Sequence, residues 1–127
     1  MFVINDDLSI CITRGDAALI SVSAEKDGVS YTFRSGDIVR LTVCAKKDCA
    51  DVVLQKDVEA TEGASTVDIP LFSEDTKIGE IISKPVDYWY EIELNPDTPQ
   101  AQTIIGYDEE SGAKIFKLFP EGGAINE

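Results

Sequence analysis

The sequence predicts an all-β fold, a sandwich or a small barrel, and three observations carry that expectation. Short β-branched and aromatic runs recur about every ten residues. Each run is closed by a Gly, Asp, Asn or Pro turn signal. Within the runs, apolar and polar residues alternate with the period of two that marks a strand with one buried face. The runs are 8–12, 19–24, 38–45, 52–58, 66–71, 88–94, 102–107 and 114–119.

Residues 1–7 read as a lead-in. Leu8, Ile10 and Ile12 then alternate with Ser9, Cys11 and Thr13, and Arg14-Gly15-Asp16 turns the chain into a second strand where Ile20, Val22 and Ala24 alternate with Ser21 and Ser23. Asp27-Gly28 is a hairpin signal, because a two-residue primed turn needs positive φ, and 29–33 continues on its far side. Ser35-Gly36-Asp37 opens a third main strand with Val39, Leu41 and Val43 on one face and Arg40, Thr42 and Cys44 on the other, more polar one. Val52, Leu54 and Val58 mark a fourth, where Lys56 on the same face points to an edge or a twist. Pro70 cannot donate to a ladder, so the strand with Val67, Ile69 and Leu71 is expected at an edge or to end there. Residues 73–77 can hold one helical turn capped by Ser73. In Tyr88-Trp89-Tyr90-Glu91-Ile92-Glu93-Leu94, the face of Tyr88, Tyr90, Ile92 and Leu94 is the clearest core candidate, with Trp89, Glu91 and Glu93 opposite. Loops at 95–99 and 108–112 bracket a penultimate strand, 114–119 closes the fold, and 120–127 is expected to fray.

With 127 residues, the chain reads as one domain, 1–127, able to bury roughly two thirds of its unfolded surface without a disulfide or metal. Its 24 acidic and 11 basic residues leave a net charge of −13, which repels nucleic acid and anionic lipid and suits a basic protein surface or a cation. No apolar run reaches the roughly 18 residues of a membrane span, and no secretory leader pattern is evident. Three cysteines, Cys11, Cys44 and Cys49, leave at least one unpaired in a monomer. A Cys44–Cys49 link requires the strand pair to bring their β-carbons within about 4.5 Å. The expectation adopted is three reduced thiols in a reducing compartment.

Chemistry is sparse. The chain has no histidine, so it cannot build a Ser-His-Asp or Cys-His arrangement, and the cysteine spacing fits no four-ligand zinc pattern. The glycines at 106, 112, 122 and 123 lack the Lys-Ser/Thr and the strand-to-helix context of a phosphate loop. Glu91 and Glu93 lie roughly 7 Å apart on one strand face, a spacing compatible with paired carboxylates but read here as a solvated face. Acidic residues cluster at Asp6-Asp7, Asp48 with Asp51, Glu74-Asp75 and Asp108-Glu109-Glu110, none with EF-hand spacing, so no metal, cofactor or catalytic residue is assigned. Arg14-Gly15-Asp16 matches an integrin-binding tripeptide and reads as a tight inter-strand turn. Trp89, opposite the main core, is either covered by a loop, the preferred reading, or a contact for a partner, and it is the one candidate site residue.

A family resemblance sharpens this. Ile10-Cys11-Ile12-Thr13-Arg14-Gly15-Asp16, then Gly36-Asp37-Ile38-Val39-Arg40-Leu41-Thr42-Val43, Leu54-Gln55-Lys56, Ser73-Glu74-Asp75-Thr76-Lys77, the Tyr88 to Leu94 strand, and Thr103-Ile104-Ile105 followed by Phe116 follow one another in a telling order. That order resembles the N-terminal immunoglobulin-like domain of phage baseplate upper proteins and related prophage proteins, over about residues 10–118. The resemblance implies an immunoglobulin-like β-sandwich of about seven to nine mostly antiparallel strands. It also implies a non-enzymatic structural or assembly module, made in the bacterial cytoplasm and carried in the virion tail or baseplate if assembled. Its expected partners are other tail or baseplate proteins, with homo-oligomerisation also open. The chain departs from the family in its longer 78–87 segment, its three cysteines and its short course beyond the last strand. The alternative is a carbohydrate-binding or adhesin-type β-sandwich; an enzyme ranks third.

Overall fold

Alternation with a period of two commits one face of each strand to the core, and with it the register in which strands can pair. The computed structural model describes residues 1–5, 7–107 and 112–121. Among them run eleven strands: β1 (Phe2–Ile4), β2 (Ile10–Thr13), β3 (Ala18–Val22), β4 (Glu25–Lys26), β5 (Val29–Ser30), β6 (Ile38–Cys44), β7 (Val52–Glu59), β8 (Val67–Leu71), β9 (Val86–Leu94), β10 (Gln102–Ile105) and β11 (Lys114–Phe119). Apart from the short β1, β4 and β5, each coincides with a run read from the sequence.

Seven strands form one sheet in the order β1-β2-β11-β9-β6-β7, with β10 also paired to β9. β11 takes the first half of β9, from Leu118↔Val86 to Lys114↔Tyr90, and β10 takes the second half, from Ile105↔Ile92 to Gln102↔Leu94. The two therefore follow one another along the same side of β9. All pairs are antiparallel except β2 with β11, which run parallel. β3 and β8 form a separate two-stranded sheet, and β4 and β5 a small hairpin.

The two larger sheets bury one core between them. Ile10 and Ile12, Val39, Leu41 and Val43, Tyr90, Ile92 and Leu94, and Phe116 and Leu118 come from the seven-stranded sheet; Ile20 and Val22 with Val67, Ile69 and Leu71 face them. Tyr88, expected in this set, is half-buried against it. Both predicted edges hold: β8, with Pro70, pairs only with β3, and β7 ends the seven-stranded sheet. Lys56 leaves that edge to pair with Asp75 at 2.9 Å and sits 5.1 Å from the Phe72 ring centre. The Asp27-Gly28 hairpin forms with φ of 54° and 79°, as a primed turn requires. Its return strand is shorter than 29–33, because Phe33 leaves the ladder, enters the core and exchanges backbone hydrogen bonds with the turn at 63–64.

Several expectations change. Residues 1–7 are not merely a lead-in: Phe2–Ile4 forms β1 against β2, and the Thr13 amide donates to the Met1 carbonyl. Residues 73–77 form turns, not a helical turn. The Asp75 carboxylate accepts the Phe72 amide and the Asp75 amide donates to the Phe72 carbonyl, which closes the bend locally. Of the expected frayed tail, Pro120 is buried and Glu121 is engaged by Arg14; 122–127, like Asp6 and 108–111, lie outside the described residues.

The cysteines also depart from the reduced-thiol reading. Cys44 and Cys49 form a disulfide across the turn, with α-carbons 4.9 Å apart, and Cys11 is free. The turn folds back tightly because Cys49 adopts φ of 56° and its amide donates to the Lys46 carbonyl. Denatured but unreduced protein is therefore expected to show one reactive thiol, and reduced protein all three; three thiols without reduction would refute the link.

Candidate protein-contact face

Cross-strand neighbours on the outer face of the seven-stranded sheet follow from the registers. One row runs Ile115, Trp89, Cys44 and Val52 across β11, β9, β6 and β7. The next is Glu91, Thr42 and Gln55, and the third Glu93, Arg40 and Asp57. The face is thus apolar along one row and ionic two rows away. Cys44 is buried and Thr42 nearly so, although both lie on the outer face, because longer neighbours cover them on both sides. Trp89 is half-buried beside the disulfide-bonded Cys44, which places it where the sequence put it, opposite the core.

Arg40 anchors the ionic row. It grips Asp57 with two hydrogen bonds of 2.7 and 3.0 Å and reaches Asp97 at 2.9 Å. Glu93, directly opposite Arg40, is left without an ion-pair partner among the described residues, as is Glu91. Burial, and then the charge of Glu93, raise the Glu91 carboxyl above its ordinary value. A raised carboxylate pKa adds stability that is complete below the unfolded value and lost as pH rises through the folded one. Glu91→Gln is therefore expected to stabilise the protein at pH 7 by a few tenths of a kcal/mol, since the site is largely solvent-screened. Chemical denaturation at pH 7 and pH 3 checks this; a gain that persists undiminished at pH 3 would show that charge is not its cause. Glu91 and Glu93 lie on the outer sheet face and line neither of the two grooves described below.

The Arg14-Gly15-Asp16 turn is engaged inside the protein. Arg14 donates to Glu121 at 2.6 Å and to the carbonyls of Gly79 at 2.8 Å and Ile78 at 3.4 Å. Its side chain is only 10% exposed. The Gly15 amide donates to the Thr76 hydroxyl, which in turn donates to the Asp16 carbonyl, while the Asp16 carboxylate pairs with the chain's amino terminus. The expected inter-strand turn forms, and these contacts, which the sequence did not show, make it an internal clamp.

Three of the described residues in the acidic clusters are engaged in hydrogen bonds or ion pairs, while Asp6 and 108–110 lie outside the described residues. Asp7 accepts from the Ser9 amide and hydroxyl, Asp48 from the Ala50 amide, and Asp75 from Lys56 and the Phe72 amide. Among the described residues no three acidic or thiol groups gather to hold a metal ion.

Two adjoining grooves open at one end of the sandwich. The first, of about 420 Å³, lies between residues 21–25 at the end of β3 and β10; the second, of about 360 Å³, is lined by Tyr31, Asp37, Leu94 and Asn95 among others. The two share Tyr31, Leu94 and Gln102, and the second is walled by a polar bracket that sequence reading missed. The Asp37 carboxylate accepts the Tyr31 hydroxyl at 2.7 Å, the Arg34 amide at 2.9 Å and the Asn95 side-chain amide at 3.0 Å. Asn95 also accepts the Ile38 amide at 2.9 Å and stands at φ of 50°. The available signal was the Asn-Pro-Asp run, which marks a turn but not its distant partners. Comparison with family models, with curated proteins and with solved structures finds no match to this chain.

Proposed function

We propose that this chain is a non-enzymatic structural or assembly module of a phage or prophage tail or baseplate, working through protein–protein contacts. The observation that carries the reading is the outer face of the seven-stranded sheet, where Trp89 lies in an apolar row with Ile115 and the Cys44–Cys49 disulfide. A half-buried Trp on a flat sheet face offers a partner a large rigid contact, and the ionic rows beside it supply a polar rim. The segment order resembling phage baseplate upper proteins supplies the tail assignment. The immunoglobulin-like form of the sandwich is supported by the parallel pairing of β2 with β11 beside an otherwise antiparallel sheet, faced by β3 and β8.

The test is to induce the prophage that encodes the chain, purify the tail particles and measure this protein by mass spectrometry. Recovery in constant ratio to the other tail proteins supports the reading, and absence from particles that contain them sinks it. Trp89→Ala is expected to abolish recovery while lowering Tm by no more than about 5 °C. A larger fall would make Trp89 part of the packing that holds the sheet together, not a contact for a partner.

A further inference from the structure

We propose that the free edge of β3 is a strand-accepting site, which takes an extended basic segment of a partner protein into the groove between β3 and β10. The inference rests neither on the tail assignment nor on Trp89. It begins from how the strand edges are guarded, because an unpaired edge invites another chain unless something blocks it.

Every other edge among the described residues carries a block. β1 has three residues and β4 and β5 two each. β7 carries Lys56, Asp57 and Glu59 in its second half and meets a register shift at its start. β8 contains Pro70, and the four residues of β10 include a register shift between Thr103 and Ile105. β3 is Ala18-Leu19-Ile20-Ser21-Val22, which is uncharged and has neither proline nor glycine nor a register shift. Outside its ladder with β8 it makes no backbone hydrogen bond to another described residue. The sheet it belongs to has two strands and faces one of seven whose inner face is buried, except at its end, where Ile104 and Ile105 of β10 are only half-buried.

These two residues line the first groove. It has a volume of about 420 Å³ and is lined by the end of β3, by Leu94 and by Ile104 and Ile105 of β10, the last two only half-buried against the core. A strand laid beside β3 at the usual spacing of about 4.8 Å would run over it, bonding to β3 through its backbone and directing alternate side chains inward. The occupant is therefore about five residues long and extended, apolar at alternate positions and free of proline at its centre. Charge selects its remaining positions. Glu25 lines the groove and Asp68 lies across from Ser21 on β8, while a net charge of −13 repels a second copy of this chain and favours lysine or arginine.

The probe is a seven-residue peptide alternating valine and lysine, added to the full chain and read by amide hydrogen exchange and backbone chemical shifts. At about 1 mM peptide, exchange at the β3 amides is expected to slow at least about tenfold. The same peptide with its central residue replaced by proline, and one alternating valine with glutamate, are expected to leave β3 unchanged. Leu19, 56% exposed, can be replaced without disturbing the core. Leu19→Lys is expected to weaken the lysine peptide and Leu19→Glu to tighten it, each at least threefold. An unchanged β3 at that concentration, equal binding of the proline or glutamate peptide, or protection that rises with protein concentration alone would overturn the proposal; the last would identify a second copy as the occupant.

Discussion

Asp37→Ala is expected to destabilise the protein by about 3 kcal/mol, equivalent to about 10–15 °C in Tm. Asp37 is 7% exposed, and its carboxylate holds three donors: the Tyr31 hydroxyl, the Arg34 amide and the Asn95 side chain. Alanine leaves all three without their acceptor at the wall of the second groove. The damage also spreads, because Asn95 ties the end of β9 to the start of β6 through two further hydrogen bonds with the Ile38 backbone. Without Asp37, nothing holds the Asn95 side chain in the orientation that accepts the Ile38 amide.

The same carboxylate gives the fold a pH dependence. Burial pushes the Asp37 pKa up, but the hydrogen bonds from Asn95, the Arg34 amide and Tyr31, with the Arg34 charge, outweigh it and leave the value below 3.8. A depressed carboxylate pKa contributes stability above the unfolded value, and that stability is lost as pH falls through the folded value. Asp57, lowered by its hydrogen bonds from Arg40, acts in the same direction. Asp75 does too: burial raises it, and the Phe72 amide and Lys56 more than compensate. Urea unfolding between pH 6 and pH 2 is expected to show stability falling below about pH 4, with a shallower fall in Asp37→Ala. A variant as acid-sensitive as the parent, or one destabilised by less than about 1 kcal/mol, would remove the bracket from the account of stability.

Arg14→Ala should follow closely, at about 2–3 kcal/mol. The Arg14 side chain is mostly buried and bonds three acceptors from two distant segments, the carbonyls of Ile78 and Gly79 and the carboxylate of Glu121 beyond β11. Its loss leaves two carbonyls and a partly covered carboxylate without their donor. Arg14→Lys is expected to recover little, because an ammonium group cannot present the planar fork that meets three acceptors at once. Asp16→Ala, by contrast, removes an exposed pair with the amino terminus and is expected to cost less than about 0.5 kcal/mol. Equal effects of the two alanine variants in thermal unfolding would contradict the clamp.

Strand existence was readable from the sequence wherever alternation was strong. Val39, Leu41 and Val43 in β6, and Tyr90, Ile92 and Leu94 in β9, are buried as their period-two pattern predicts, because one face of a strand must be dry for that pattern to exist. Turn chemistry was equally readable at Asp27-Gly28, where positive φ is a property of two adjacent residues. β1 was missed because Phe2, Val3 and Ile4 show no alternation; their pairing with β2 is visible only once Ile10–Thr13 is in place.

The candidate face was partly readable. The sequence placed Trp89 opposite the core, but it could not place Ile115 and Cys44 beside it, since those neighbours come from strands 26 residues later and 45 earlier in the chain. The Cys44–Cys49 link depended on the conformation of the intervening turn, and the partners of Arg14, Asp37 and Arg40 lie as far as 107 residues away.

The sequence by itself determined the fold class, eight of the strands, the core faces of the longest ones, two edges and the strong negative charge. These are local: they depend on spacing, side-chain type and the backbone geometry of neighbouring residues. Only the tertiary structure decided which strands adjoin, which carboxylates find a cation and which edge stays open. Those outcomes turn on closing long loops between segments that carry no mark of one another, and the free energy that selects them belongs to the packed whole.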